Sequence, residues 1–172
     1  MIRVFVFFVL SVTFLNGCVS TDDQASPPTT TMEALAHDLQ ILGVKPRFIA
    51  LLAKEGAQAG VRSFRPLPKI YNVGRTAGKA RLYGLTKRNG VVYLDTETDA
   101  GRTPFIILHE ISHAAHYGGA CGGHNSPWAD DFAARAARFQ AQFPNARWLG
   151  QPPVQMARDL ARQYGVGSHK CP

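Results

Sequence analysis

Apolar residues recur at helical spacing in five stretches of the chain, and short extended-type runs lie between the second and third of them. Leu35, Leu39 and Leu42 fall three or four residues apart over residues 32–42, with Gly43 as a stop, so one face of a helix collects them. Phe48, Leu51 and Leu52 do the same over residues 46–59. A third helix begins with Thr103 as N-cap and Pro104 in the first turn, where a missing N–H costs nothing. Phe105, Ile106, Ile107 and Leu108 follow, with no breaker before Gly118. On its wheel Ile107, Ile111 and Ala114 lie opposite His109 and His113, so one face packs inward while the other lines a cleft. Ser126-Pro127 is the N-cap and first-turn signature of a fourth helix reaching about residue 143, with Trp128, Phe132, Ala136 and Phe139 as its buried stripe. Residues 153–164 make a fifth, closed by Gly165.

Pro66 and Pro68 break the helical pattern after the second helix. Residues 69–73, 79–85 and 91–95 are short β-branched or aromatic runs separated by Gly74, Gly78 and Asn89-Gly90. They predict three antiparallel strands, the last two joined by a hairpin turn at Asn89-Gly90. The expected class is therefore α+β, a small antiparallel sheet of about three strands packed on the third helix with the other helices flanking it. One strand should border the cleft. No internal repeat is evident.

The N-terminus carries one early positive charge, Arg3, and an apolar run over residues 4–12 that extends to Leu15. It is too short to span a membrane as a mature helix and reads as a secretory signal. Leu15-Asn16-Gly17-Cys18 resembles the bacterial lipobox. That resemblance implies cleavage before Cys18, acylation of Cys18, and attachment to the cell envelope through lipid chains. Val19 and Ser20 after the cysteine resemble the outer-membrane sorting pattern of Gram-negative lipoproteins. The chain thus divides into a signal (1–17), a flexible tether rich in Thr, Ser, Pro and Asp (18–31), and one domain (32–172).

The formal net charge is +7. No block of consecutive basic residues concentrates it, so it reads mostly as a solvated surface, with binding of nucleic acid or an envelope polymer as the lesser alternative. Beyond Cys18, Cys121 and Cys171 form an even pair in an exported, disulfide-permissive chain, and a bridge between them is expected. It would tie the penultimate residue to the loop after the third helix.

His109-Glu110-Ile111-Ser112-His113 is an HExxH sequence on the third helix. Two histidines four residues apart share a helix face and can grip one zinc ion, while the intervening carboxylate can take a proton from a metal-activated water. The third ligand follows by elimination. No glutamate occurs after Glu110. His116 is seven residues from His109, about 10 Å along the helix, too far for a shared bond length near 2 Å. Asp130 and Asp131 fall inside the fourth helix, and His169 lies near the terminus. His124 remains, on a glycine-rich loop that can turn back to the metal.

The pair of motifs, HExxH followed by Gly123-His124-Asn125-Ser126-Pro127-Trp128, resembles the SprT-like zincin metallopeptidases and their WLM relatives over roughly residues 67–143. The resemblance implies a zincin-like fold with one Zn2+ held by His109, His113 and His124, Glu110 as general base, and a polypeptide substrate. The paired cysteines of a C-terminal zinc ribbon, frequent in the DNA-associated members, are absent from this chain. The resemblance therefore extends to the catalytic core and not to a DNA-linked role. Tyr117, Tyr164 and several arginines are candidates for stabilising the oxyanion. Two other readings use the same metal ligands: a non-catalytic, zinc-stabilised binding lipoprotein, and an envelope amidase acting on peptidoglycan.

Overall fold

The computed structural model describes residues 32–72, 81–118 and 123–166. Cys18, Cys121 and Cys171, and with them the expected lipid attachment and disulfide, lie outside the described residues, as do the signal, the tether and His169. Among the described residues no helix is long and apolar enough to cross a membrane.

The fold is α+β, with five α-helices and a three-stranded mixed sheet among the described residues. Helices α1 (Met32–Ile41) and α2 (Pro46–Gln58) pack on each other. Strand β1 (Ser63–Pro66) follows, then β2 (Gly84–Thr86) and β3 (Val91–Leu94), then α3 (Pro104–Ala115), α4 (Ser126–Gln142) and α5 (Pro153–Gln163). Strand order is β1-β3-β2. Thr103 caps α3, its side chain accepting from the Ile106 N–H, and Pro104 occupies the first turn. Leu35, Leu39, Leu52, Val92, Leu94, Ile107, Ile111 and Phe132 are fully buried and form one core shared by helices and sheet. Full burial stabilises each by roughly 1.5–3 kcal/mol before entropy is charged against it.

The sheet differs from the antiparallel expectation. β2 and β3 are an antiparallel hairpin, but β1 pairs parallel to β3 with Ser63 opposite Val91 and Pro66 opposite Leu94. The stretch expected to be the first strand instead holds a 3-10 turn at Lys69–Tyr71. Proline misdirects the reading because Pro66 belongs to the strand. The Phe64 N–H points away from β3 to Asp38 Oδ2, 3.0 Å away, whereas the Leu67 N–H donates to Leu94 O at 2.7 Å. Pro66, two residues beyond Phe64, therefore faces outward on an edge strand, where the ladder needs no donor.

A second correction concerns α4. Its N-cap is Asn125, whose side chain accepts from the Trp128 N–H at 3.0 Å, and Ser126 is the first helical residue.

A buried ion cluster joins α2 to α4. Glu55, 1% exposed, accepts from Arg135 Nη1 at 2.7 Å and from Arg138 Nε and Nη2 at 2.6 and 2.8 Å. Arg135 also donates to Glu55 O and to Asp131 Oδ2. A carboxylate this deep is tolerable only when its oxygens are fully partnered.

Candidate metal centre and cleft

Helix α3 brings His109 and His113 onto one face, and the chain returns through Gly123 to add His124 just before Asn125 caps α4. Gly123 has φ +87°, a backbone conformation that favours glycine, and a Cβ there would press on His113 Nδ1 at 3.2 Å. The three Nε2 atoms form a near-equilateral triangle: 3.2 Å from His109 to His113, 3.1 Å from His113 to His124 and 3.3 Å from His124 to His109. For metal–nitrogen bonds of about 2.0–2.1 Å, three corners of a tetrahedron are separated by about 3.3–3.4 Å. The observed triangle fits three ligands of one tetrahedral ion with a fourth position left over.

Protonation favours the same use. Burial, then the neighbouring imidazoles of His113 and His124, push His109 well below the usual histidine range. Burial, then His124, pushes His113 down to about 3. A neutral imidazole with its proton on Nδ1 presents a lone pair at Nε2, and lone pairs converging on one point call for a cation. These three histidines are close enough to bind a metal ion. Among the described residues His116, Asp130 and Asp131 do not join them; Asp131 is engaged by Arg135.

Aromatic rings fix the imidazoles. Trp128, fully buried, stacks on His113 with centroids 5.3 Å apart, meets His124 edge-on at 4.6 Å, and donates from Nε1 to His109 O at 3.4 Å. Tyr164, just past the end of α5, stacks on His124 at 3.7 Å with planes inclined by 15°. The fifth helix thereby closes one side of the site.

Glu110 is 6% exposed, with Oε1 4.0 Å from His109 Nε2. The Thr86 hydroxyl on β2 lies 2.8 Å from both Glu110 Oε2 and Glu110 O, and its one proton is shared between them. Burial pushes the Glu110 carboxyl up to about 7, with the Thr86 contacts opposing the shift. β2 crosses so close that a Cβ on Gly84 would sit 2.5 Å from Glu110 Cγ and 2.7 Å from Oε1. Any larger residue at 84 would force the strand or the carboxylate to move.

A cleft of about 550 Å³ opens over these groups, bounded by β2 on one side and by Tyr117, Gly118 and Tyr164 on the other. β2 is an edge of the sheet, so the strand expected to border the cleft is this one. Of the candidates for oxyanion stabilisation, Tyr117 and Tyr164 line the cleft, whereas none of its described lining residues is an arginine. Burial, then the charge of Glu110, raises the Tyr164 phenol above its usual range and keeps it a proton donor. Thr86, Gly84 and the stacking role of Tyr164 escape a sequence reading. Only Gly84, inside a β-type run, leaves a trace there, since such a glycine marks close approach of another group.

Comparison of the chain with models of protein families, with curated proteins and with solved structures finds no match.

Proposed function

We propose that this protein is a zinc-dependent endopeptidase of the zincin type, acting at the bacterial cell envelope. The observation that carries the reading is the triangle of His109, His113 and His124 Nε2 atoms with the buried Glu110 carboxyl beside it. Three imidazoles suit zinc, copper, iron and nickel alike by donor type; the tetrahedral spacing with a fourth position left over favours zinc, and a ligand set of three is that of catalytic rather than structural zinc sites. Zinc held there would supply Lewis acidity and bring the pKa of a water to near neutrality.

The chain's own groups supply the rest. Glu110, with Oε1 4.0 Å from His109 Nε2, takes the proton of the attacking water and returns it to the leaving amine. Thr86 holds that carboxyl in place from the side away from the ligands. Tyr164 donates a hydrogen bond to the oxyanion as charge develops on the former carbonyl oxygen. The outer edge of β2, an edge strand among the described residues, pairs with the backbone of an extended substrate, which gives recognition without demanding particular side chains.

The likeness of the two motifs to SprT-like and WLM zincins supports the same reading, and the signal and lipobox support an envelope location. The test is hydrolysis of casein by the purified protein, abolished by a chelator and restored by zinc. Cleavage of purified peptidoglycan without cleavage of casein would transfer the same machinery to the amidase reading. Zinc binding without either activity would leave a binding lipoprotein.

A further inference from the structure

A second cavity, of about 540 Å³, lies at the other end of α3 and shares no lining residue with the cleft at the histidines. Its wall is the first turn of α3, and its floor is aromatic. Phe48 and Phe139 approach to 5.5 Å between centroids, Phe139 and Trp148 to 5.3 Å, and Trp148 and Phe105 to 5.4 Å. Phe48, Phe139 and Trp148 are core residues that reach the cavity by their edges, and its volume falls within the range of about 300–1,000 Å³ usual for small-molecule pockets.

The rim is cationic. Lys45, Arg47 and Arg147 line it, and no aspartate or glutamate does. Among the described residues none of these three has a carboxylate at ion-pair distance, although Arg81, Arg102, Arg135, Arg138 and Arg162 all do. Arg147 is held in place by its own loop, with Nη1 donating to Pro144 O and Ala146 O at 3.2 and 2.8 Å.

Leu149 adds an independent observation. It is 78% exposed and lines the same cavity, and it is the one non-glycine residue with positive φ (+49°) among the described residues. It sits with Gly150 in the tight turn closed by the Trp148–Gln151 bridge. Asparagine or glycine would relax that backbone, whereas leucine is strained there and also presents an apolar side chain to water. A strained apolar residue at the mouth of an apolar cavity calls for an occupant that covers it.

We propose that this cavity binds a single-chain amphiphile, an alkyl chain with a carboxylate or phosphate head. The chain lies on the aromatic floor under Leu149, and the head meets Lys45, Arg47 and Arg147. An alkyl chain fits the floor better than a peptide because Phe48, Phe105, Ile106 and Phe139 offer a peptide's amides no polar side-chain atom and Trp148 offers one indole N–H, while the polar groups of Tyr83, Thr103 and Asn145 are left for the head. The site is separate from the proposed metal centre and does not depend on it.

The test is titration of the full-length protein with dodecanoate, followed by calorimetry and by Trp148 fluorescence in a Trp128→Phe background. Two control ligands separate the contributions: dodecyltrimethylammonium keeps the chain and reverses the head, and butyrate keeps the head without the chain. Dodecanoate should bind saturably at one site, with both controls roughly tenfold or more weaker. The Arg47→Glu/Arg147→Glu variant should lose roughly tenfold in dodecanoate affinity. Leu149→Asn should weaken binding severalfold while its thermal midpoint equals or exceeds that of the unsubstituted protein, a combination that mere misfolding cannot produce. His113→Ala should bind dodecanoate unchanged. Equal binding of the two twelve-carbon amphiphiles, wild-type affinity in the charge-reversed variant, or the absence of saturable binding would each overturn the proposal.

Discussion

Glu55 and Glu110 are the buried glutamates among the described residues, and the protein surrounds the same side chain in two different ways. Glu55 lies between α2 and α4 and receives three guanidinium hydrogen bonds from Arg135 and Arg138. Glu110 lies between α3 and β2, receives one hydroxyl contact from Thr86, and has neutral imidazoles where Glu55 has cations. Complete pairing makes a buried carboxylate a fixture of the fold. At Glu110 burial raises the proton affinity to about 7, and the Thr86 contacts offset it only in part, at the edge of an open cleft. Burial is common to both carboxylates; the number of charged partners is what separates them.

Substituting each glutamate by its amide breaks the comparison most sharply. Glu110→Gln should lower peptide hydrolysis by about 10²–10⁴-fold, the usual weight of a general base, and leave zinc content and urea stability near those of the unsubstituted protein. Glu55→Gln should do the reverse. It removes the ion-pair partner of Arg138 and leaves Arg135 with Asp131 alone, and should cost about 3 kcal/mol in urea unfolding, with turnover per folded molecule retained. If both variants lost stability alike, the distinction between the two sites would fail.

Gly84→Ala probes the Glu110 side of the comparison more gently. The new Cβ would meet Glu110 Cγ at 2.5 Å, so either the strand or the carboxylate must move. Overpacking of this kind costs about 1–3 kcal/mol. Catalytic turnover should fall roughly tenfold as the base leaves its position, with zinc retained, since no ligand is touched.

The smallest expected effect concerns Asp95, a third buried carboxylate, which is paired in the manner of Glu55. Burial pushes its pKa up, but hydrogen bonds from Arg81, Thr98 and the Glu97 N–H together outweigh it and hold the group below the ordinary range. Its folded value being lower than its unfolded one, its contribution is complete above about pH 4. That contribution is lost as pH falls through the folded value. The urea midpoint of Asp95→Asn should therefore change less between neutral and acid pH than that of the unsubstituted protein.

What the sequence made legible follows the range of the forces involved. The five helices are written locally, in apolar spacing, prolines in first turns and glycine stops, and their bounds came within a residue or two of those expected. α2, for instance, spans Pro46–Gln58 against an expected 46–59. Strands of three or four residues hold at most two alternations, too few to read, and Pro66 concealed a strand because its outward register is set by pairing with β3. The same division holds at the site. His109, Glu110 and His113 are visible as one helical turn, and His124 emerges once other ligands are discounted. The Thr86 contact spans 24 residues and the Arg135–Glu55 contact 80, and nothing local announces either.

The most direct measurement of the central claim is calorimetric titration of metal-stripped protein with zinc, in the unsubstituted chain and in His124→Ala and His116→Ala. One zinc per chain is expected, with affinity reduced on the order of a hundredfold or more in His124→Ala, since each ligand carries a large share of the binding free energy, and unchanged in His116→Ala. Retention of full affinity by His124→Ala, or its loss in His116→Ala, would contradict the account.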